Sequence, residues 1–167
     1  MAYRKIVKGR SYPYLYNLNA TVGSRKAVYK EPGITTYTSS YEPNKRDDVM
    51  LVQYMLKRVY QRGQSATPPL DGSSGASQLV IDGYYGPKTQ GAIEQYQLEM
   101  RRNGRNIATD GCVDPELGDS SVASISHTGY TISWLNKYFY LLYPELFANI
   151  AVDPECPIEL KMAVNRW

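Results

Sequence analysis

The sequence has few of the residues from which metal sites and disulfide frameworks are built. Its 167 residues include one histidine, His127, and two cysteines, Cys112 and Cys156. Two cysteines are too few for a disulfide framework, and with a single histidine they do not complete a zinc site. We expect two reduced thiols, with a disulfide between Cys112 and Cys156, or between chains, as the less favoured alternative. We predict no metal and no cofactor.

Paired catalytic side chains are also missing. A carboxylate pair must face the substrate from both sides of a cleft. The two candidates, Asp82 and Asp110, each stand in an Asp-Gly turn, where an aspartate commonly accepts hydrogen bonds from nearby backbone N–H groups. Nothing beyond their presence supports a nucleophilic site made of Cys112 or Cys156 with His127. We therefore predict a protein without catalytic residues.

Long apolar runs and dense basic blocks are absent from the sequence as well. No run approaches the roughly 18 apolar residues that a membrane-spanning helix needs, and no apolar secretory stretch follows Met1. Lys and Arg outnumber Asp and Glu nine to two in residues 1–46, but are outnumbered fourteen to ten in residues 47–167. This asymmetry favours docking onto an acidic neighbour or a second copy. We expect no membrane or nucleic-acid partner, and assembly in a cytoplasm.

Tyrosine, by contrast, is abundant, with 16 residues against two Phe and two Trp. A tyrosine ring buries a large area while its hydroxyl can still reach water or a partner, which suits both interfaces and wet cores. Tyr12, Tyr14 and Tyr16 recur with the period of two that is typical of a strand with one aromatic face. Pro13 restricts such a strand to an edge. Because Gly, Pro and Ser interrupt residues 1–46, we predict an extended arm that docks on other protein through these three tyrosines.

Helical periodicity dominates the rest of the chain. Apolar residues at helical spacing predict three long helices and two short ones, at Asp47 to Gln61, Pro87 to Arg102, Thr131 to Leu142, Glu145 to Ile150 and Pro157 to Asn165. Residues 63–78, rich in Gly, Ser and Pro, are predicted to form an exposed loop, and residues 118–130 a second loop. Asp114-Pro115 carries the signal for the start of a short helix.

The middle of the chain also contains a long and specific motif. The stretch from Asp82 to Gln97 follows the pattern Asp-Gly-x-Tyr-Gly-x-x-Thr-x-x-Ala-Ile-x-x-Tyr-Gln. A helical pattern precedes it and a second Asp-Gly turn follows it, with matching residues Val49, Val52, Gln53, Leu56, Asp110, Gly111, Val113 and Asp114. On these residues, positions 47–115 resemble the peptidoglycan-binding domain family, a small three-helix fold found on bacterial and phage cell-wall proteins. The sequence departs from the family in its long loop at 63–78 and at 115–118, where the start of the last helix is interrupted. The third helix is either displaced or replaced by Thr131 to Leu142.

The resemblance implies a mainly α protein with three parts. They are an extended basic arm at 1–46, a peptidoglycan-binding-like domain at 47–117 and a helical extension at 118–167. If the chain shares the family's function, the candidate ligand contacts are Asp82, Tyr84 and Gln97. Tyr85 and Tyr96 are expected to be core residues. We expect a non-catalytic structural protein of a bacteriophage particle, in the tail, baseplate or neck, with other virion subunits as partners. The alternative is a peptidoglycan-recognition module that targets a separate lytic enzyme.

Overall fold

A computed structural model describes residues 2–24, 44–66, 69–71, 75–124 and 126–165. In these residues the chain is mainly helical, as the sequence predicts, and it also has one small sheet. The helices are α1 (Arg46–Arg62), α2 (Pro87–Arg102), α3 (Thr131–Leu142), α4 (Pro144–Ala148) and α5 (Ile158–Val164). Strands β1 (Tyr3–Ile6) and β2 (Tyr14–Asn17) pair antiparallel, with Tyr3 opposite Asn17. Three short 3-10 turns cover Gly63–Ser65, Gly75–Gln78 and Ile150–Val152.

The three long helices confirm the periodicity argument, because each begins and ends within one residue of its predicted bound. Helix α1 is more deeply buried than its amphipathic pattern indicates, since every residue from Asp48 to Leu56 is buried. It contacts α2, α3 and α5, so protein surrounds it on several sides. None of the helices in the described ranges is long and apolar enough to cross a lipid bilayer.

The N-terminal segment, residues 2–24, belongs to the core. Tyr12 and Tyr16 are buried, and the Tyr14 ring stacks on Phe147 of α4 with centroids 5.3 Å apart. The hydroxyls of Tyr14 and Tyr16 donate to the Phe147 carbonyl oxygen at 2.9 and 2.6 Å. The prediction that these rings dock on another subunit is therefore wrong for Tyr12 and Tyr16, because α3 and α4 of the same chain already cover them. Residues 25–43 of the predicted arm lie outside the described residues.

One hydrophobic cluster joins the three predicted parts of the chain. It includes Leu15 from the N-terminal segment, Leu56 from α1 and Phe139 from α3. The parts therefore share a core instead of each having its own. The loop predicted to be exposed at 63–78 also contributes to this cluster, with Leu70 and Ala76 both buried.

The short helix predicted at Asp114-Pro115 does not form; residues 114–117 have no regular secondary structure. The backbone N–H of Glu116 donates to Asn17 Oδ1 at 2.9 Å, and the Glu116 carbonyl oxygen accepts from Asn17 Nδ2 at 2.9 Å. This pairing with the N-terminal segment takes up both backbone groups of Glu116, so they are not available to a helix.

Candidate binding site

The first Asp-Gly turn is held by a buried glutamine from α1. Gln53 Oε1 accepts the backbone N–H groups of Asp82 at 3.1 Å and Gly83 at 2.9 Å. Its Nε2 group donates to Asp82 Oδ1 at 2.9 Å, Thr89 Oγ1 at 3.0 Å and the Tyr84 carbonyl oxygen at 3.1 Å. Gly83 has a φ of 73°, a conformation that favours glycine. One side chain thus ties α1 to the turn and to the first turn of α2.

The second Asp-Gly turn repeats this arrangement with a glutamine from α2. Gln97 Oε1 accepts the N–H of Gly111 at 2.9 Å. Its Nε2 group donates to the Cys112 carbonyl oxygen at 2.8 Å, to Thr131 Oγ1 at 3.1 Å and to Asp110 Oδ1 at 3.4 Å. Gly111 has a φ of 70°. Here the glutamine ties α2 to the turn and to the start of α3.

We call these two arrangements the first clamp (Gln53, Asp82, Thr89) and the second clamp (Gln97, Asp110, Thr131). In the first clamp the threonine follows the aspartate by seven residues; in the second it follows by twenty-one. The fourteen extra residues lie within positions 115–130, which we call the insertion; all of it except residue 125 is described. In each clamp, therefore, a glutamine of one helix holds an Asp-Gly turn and the threonine in the first turn of the next helix.

Of the predicted ligand contacts, two lie at the surface and one does not. Asp82 and Tyr84 are exposed, with Tyr84 at 72% of its full accessibility. Hydrogen bonds to Asp82, first from the Tyr84 backbone N–H and then from the Gln53 side chain, lower the pKa of its carboxyl. Gln97 is fully buried in the second clamp, so its assignment as a ligand contact is wrong. Tyr96 is a core residue, as predicted, and is likewise fully buried.

A buried carboxylate joins the insertion to the N-terminal segment and α3. Glu116 accepts two hydrogen bonds of 2.7 Å from the Arg10 guanidinium, and these raise the pKa of Arg10. It also accepts from Lys5 Nζ at 3.4 Å and from the Ser133 hydroxyl. The Glu116 side chain is completely inaccessible to solvent. This cluster could not be predicted from the sequence, because Arg10 and Glu116 are 106 positions apart.

The N-terminal segment, the loop after α2, the insertion and α3 line a cavity of about 360 Å³. Its walls combine an indole, a phenol, hydroxyls, an amide, an imidazole and two cations, from Arg10, Ser11, Tyr12, Asn106, Ser121, Val122, His127, Gly129, Ser133, Trp134 and Lys137. Trp134 of α3 is half-buried and lines this cavity, and it was not singled out from the sequence. The missed signal was the combination of Trp134 with Lys137, one helical turn apart.

The insertion forms one wall of the cavity through hydrogen bonds to the loop after α2. Asn106 donates its side-chain amide to the His127 carbonyl oxygen at 2.9 Å, and its own carbonyl oxygen accepts the Gly129 N–H at 2.8 Å. A Cβ on Gly129 would lie 2.8 Å from Trp134 Nε1, so only glycine allows the insertion to approach the indole this closely. His127 stands in this wall with a φ of 55°.

The two cysteines lie away from this cavity and are both buried thiols. No disulfide joins Cys112 to Cys156 in this structure. Burial raises the pKa of the Cys156 thiol to about 12. Among the residues that the structure describes, no group of three His, Cys, Asp or Glu side chains is placed to hold a metal ion.

Comparisons with protein-family models, with curated proteins and with solved structures found no match. The likeness to the peptidoglycan-binding domain family consequently depends on the motif residues of this chain alone. In the described residues, the two clamps and the cavity are the candidate functional features.

Proposed function

We propose that this chain is a non-catalytic recognition module with a peptidoglycan-binding-like core, and that it binds the bacterial cell wall. The observation that carries the proposal is the pair of clamps. The motif residues behind the family resemblance, Gln, Asp-Gly and Thr, converge on one geometry twice in succession. On this proposal α1, α2 and α3 are the three helices of the fold, and the insertion displaces the third helix along the sequence.

The cavity is the place where such a module would hold its ligand. The glutamines of both clamps are buried and fully engaged, so recognition has to use residues outside them. A volume of about 360 Å³ lies within the range of small-ligand sites, which run from roughly 300 to 1,000 Å³. Its mixture of an aromatic wall, such as Trp134, with hydroxyls, such as Ser11 and Ser121, suits a sugar or a short peptide.

A structural role in a bacteriophage particle, in the tail, baseplate or neck, is the second candidate. It is favoured by apolar side chains that the described part of the chain leaves uncovered. Ile158 and Met162 lie one turn apart on α5 and are 70% and 54% exposed, and Val152 in the neighbouring 3-10 turn is 64% exposed. Apolar surface of this kind is typical of contacts with other proteins. On this alternative α5 would face another virion subunit.

Retention of the full chain on insoluble peptidoglycan tests the first proposal. We expect wild type to be retained, and Trp134→Leu to reduce the retained fraction about tenfold or more, as truncation of a central aromatic contact does. Tyr84→Ala is the matched variant, because Tyr84 is the exposed aromatic residue of the first turn. A loss with Tyr84→Ala alone would place the ligand at that turn instead of in the cavity.

Two results would contradict the wall-binding proposal. Absence of retention, together with oligomers that dissociate in Ile158→Asp when measured by light scattering, would favour the particle protein. Measurable hydrolysis of the peptidoglycan would contradict the non-catalytic assignment. Deletion of residues 2–24 is not a suitable variant for either measurement, because it would leave Glu116 buried without Arg10.

A further inference from the structure

Two cations lie close to the indole of Trp134. Lys137 Nζ is 5.0 Å and Arg105 Cζ is 4.9 Å from the ring centroid, within the range of a cation–π contact. In the described ranges of the chain no carboxylate pairs with either cation, and the buried Nε of Arg105 has no hydrogen-bond partner. Two like charges held at one ring leave a positive potential that an anion would neutralise.

The nearest buried acid cannot supply that anion. Glu116 contacts Ser133, which lies one turn before Lys137 on α3, but its two oxygens already accept both Arg10 nitrogens at 2.7 Å. Two cations are among the described residues that line the cavity, and no Asp or Glu is. Arg10 is already paired with Glu116, which leaves Lys137. The charge balance of the cavity walls is therefore positive.

We propose that the cavity binds a ligand through a carboxylate group that pairs with Lys137 Nζ. Trp134 supplies the apolar wall for the body of the ligand, and Ser11, Ser121 and Asn106 supply donors and acceptors around it. The source of the carboxylate depends on the proposed wall-binding function. In peptidoglycan it is either the acid group of N-acetylmuramic acid or a carboxylate of the stem peptide.

The small volume of the site, about 360 Å³, favours a compact anion over a polyanion. Binding of a nucleic acid or another extended polyanion requires a row of cations along an open surface. Here the lysine and the indole stand together at a cavity that the insertion closes on one side. A single carboxylate on a small ligand fits this arrangement.

Titration calorimetry on the full chain tests the inference with pairs of probes that differ only in the acid group. N-acetylmuramic acid is compared with N-acetylglucosamine, and D-alanyl-D-alanine with its C-terminal amide. We expect the acidic member of one pair to bind about tenfold tighter or more, the order that follows from one charge-assisted hydrogen bond. The pair that shows this difference identifies the sugar or the peptide as the source.

Three variants connect that difference to Lys137. Lys137→Met keeps the unbranched chain against Trp134 and removes the charge, so it should abolish the preference for the acid. Lys137→Arg should keep the preference, and Lys88→Met, an exposed lysine on α2 outside the cavity, should leave binding unchanged. The wild-type comparison of each probe pair stands even if a Lys137 variant fails to fold.

The outcomes separate this inference from the proposed function. Equal binding of both members of each pair, or tighter binding of inorganic phosphate than of either acid, would overturn the carboxylate site. Wild-type retention on peptidoglycan that Lys137→Met leaves unchanged would overturn the role of Lys137 while the wall-binding proposal stands. If an acidic probe binds in a Lys137-dependent way but peptidoglycan does not retain the chain, the carboxylate site is supported and the wall-binding proposal is overturned.

Discussion

At the scale of single residues, the two buried glutamines hold the helical core together. Replacing Gln97 with Met keeps most of the side-chain volume and removes every hydrogen bond that the Gln97 side chain makes. The N–H of Gly111 and the carbonyl oxygen of Cys112 would then be buried with a missing partner, and an unsatisfied buried group costs about 1–3 kcal/mol. We predict that Gln97→Met lowers the free energy of unfolding by about 2–4 kcal/mol, measured by urea denaturation.

Gln53→Met should cost a similar amount, because the first clamp has the same geometry. Gln90→Met on α2 is the matched control: its amide donates only to Glu94 one turn away, and such a pair contributes about 0.2–0.5 kcal/mol. If Gln97→Met were no more costly than Gln90→Met, the clamp would not be a stabilising element.

At this scale the sequence predicted the turn at Asp82 correctly but not the burial of Gln97. The Asp-Gly pairs predict tight turns because glycine adopts a positive φ readily, and both turns form. A glutamine is usually exposed, so composition and periodicity cannot say that Gln97 turns inward. Gly111 and Thr131 are far apart in the sequence. They come together only in the folded chain, where both form hydrogen bonds with the Gln97 side-chain amide.

At the scale of elements, the insertion is fixed by the N-terminal segment through Glu116. Glu116→Gln would remove the buried carboxylate that pairs with Arg10, whose side chain is only 12% exposed. Removing one partner of a buried ion pair costs about 3–5 kcal/mol, and we predict a loss of stability of this size in urea denaturation. Because Arg10 and Ser133 both contact Glu116 and both line the cavity, ligand binding should weaken as well.

Glu159→Gln is the control for this prediction. Glu159 pairs with Arg46 at 3.5 Å, and both side chains are more than half exposed. Exposed pairs of this kind contribute about 1 kcal/mol or less. Equal losses of stability in Glu116→Gln and Glu159→Gln would show that the buried cluster does not hold the insertion in place.

The sequence predicts the elements well but not their arrangement. Periodicity located α1, α2 and α3 because their apolar residues recur over more than three turns each. It could not show which surface the Tyr12, Tyr14 and Tyr16 rings would meet, since a period of two defines a face and not its partner. The cavity could not be predicted either, because its walls come from four separate parts of the chain.

At the scale of the whole molecule, the aromatic rings connect the ends of the chain to its centre. Phe147 of α4 lies 5.3 to 6.0 Å, between ring centroids, from Tyr12, Tyr14, Tyr16 and Phe139. Aromatic pairs at this separation contribute beyond the area they bury. The N-terminal segment, α3 and α4 should therefore unfold together with α1, against which Phe139 packs through Tyr54.

The two buried cysteines can report on this unfolding because they lie in different parts of the chain. With its pKa raised to about 12, the Cys156 thiol is almost entirely protonated at pH 8, and the thiolate is the form that reacts. Labelling with a thiol reagent should therefore require opening of the structure at both Cys112 and Cys156. Labelling in denaturant provides the reference rate for the exposed thiols.

We predict that Phe147→Leu speeds the labelling of Cys112 and Cys156 by the same factor. The substitution leaves a gap in the aromatic cluster and should cost about 1–1.5 kcal/mol, which corresponds to roughly a tenfold rise in the open population. Leu141→Ala, at a side chain that is 59% exposed, should change neither rate. Acceleration at Cys156 alone would mean that residues 118–167 open as a separate unit, since Cys112 lies in the preceding part of the chain. Equal acceleration requires one cooperative core, because a local opening around α4 could not expose a thiol held beside the second clamp.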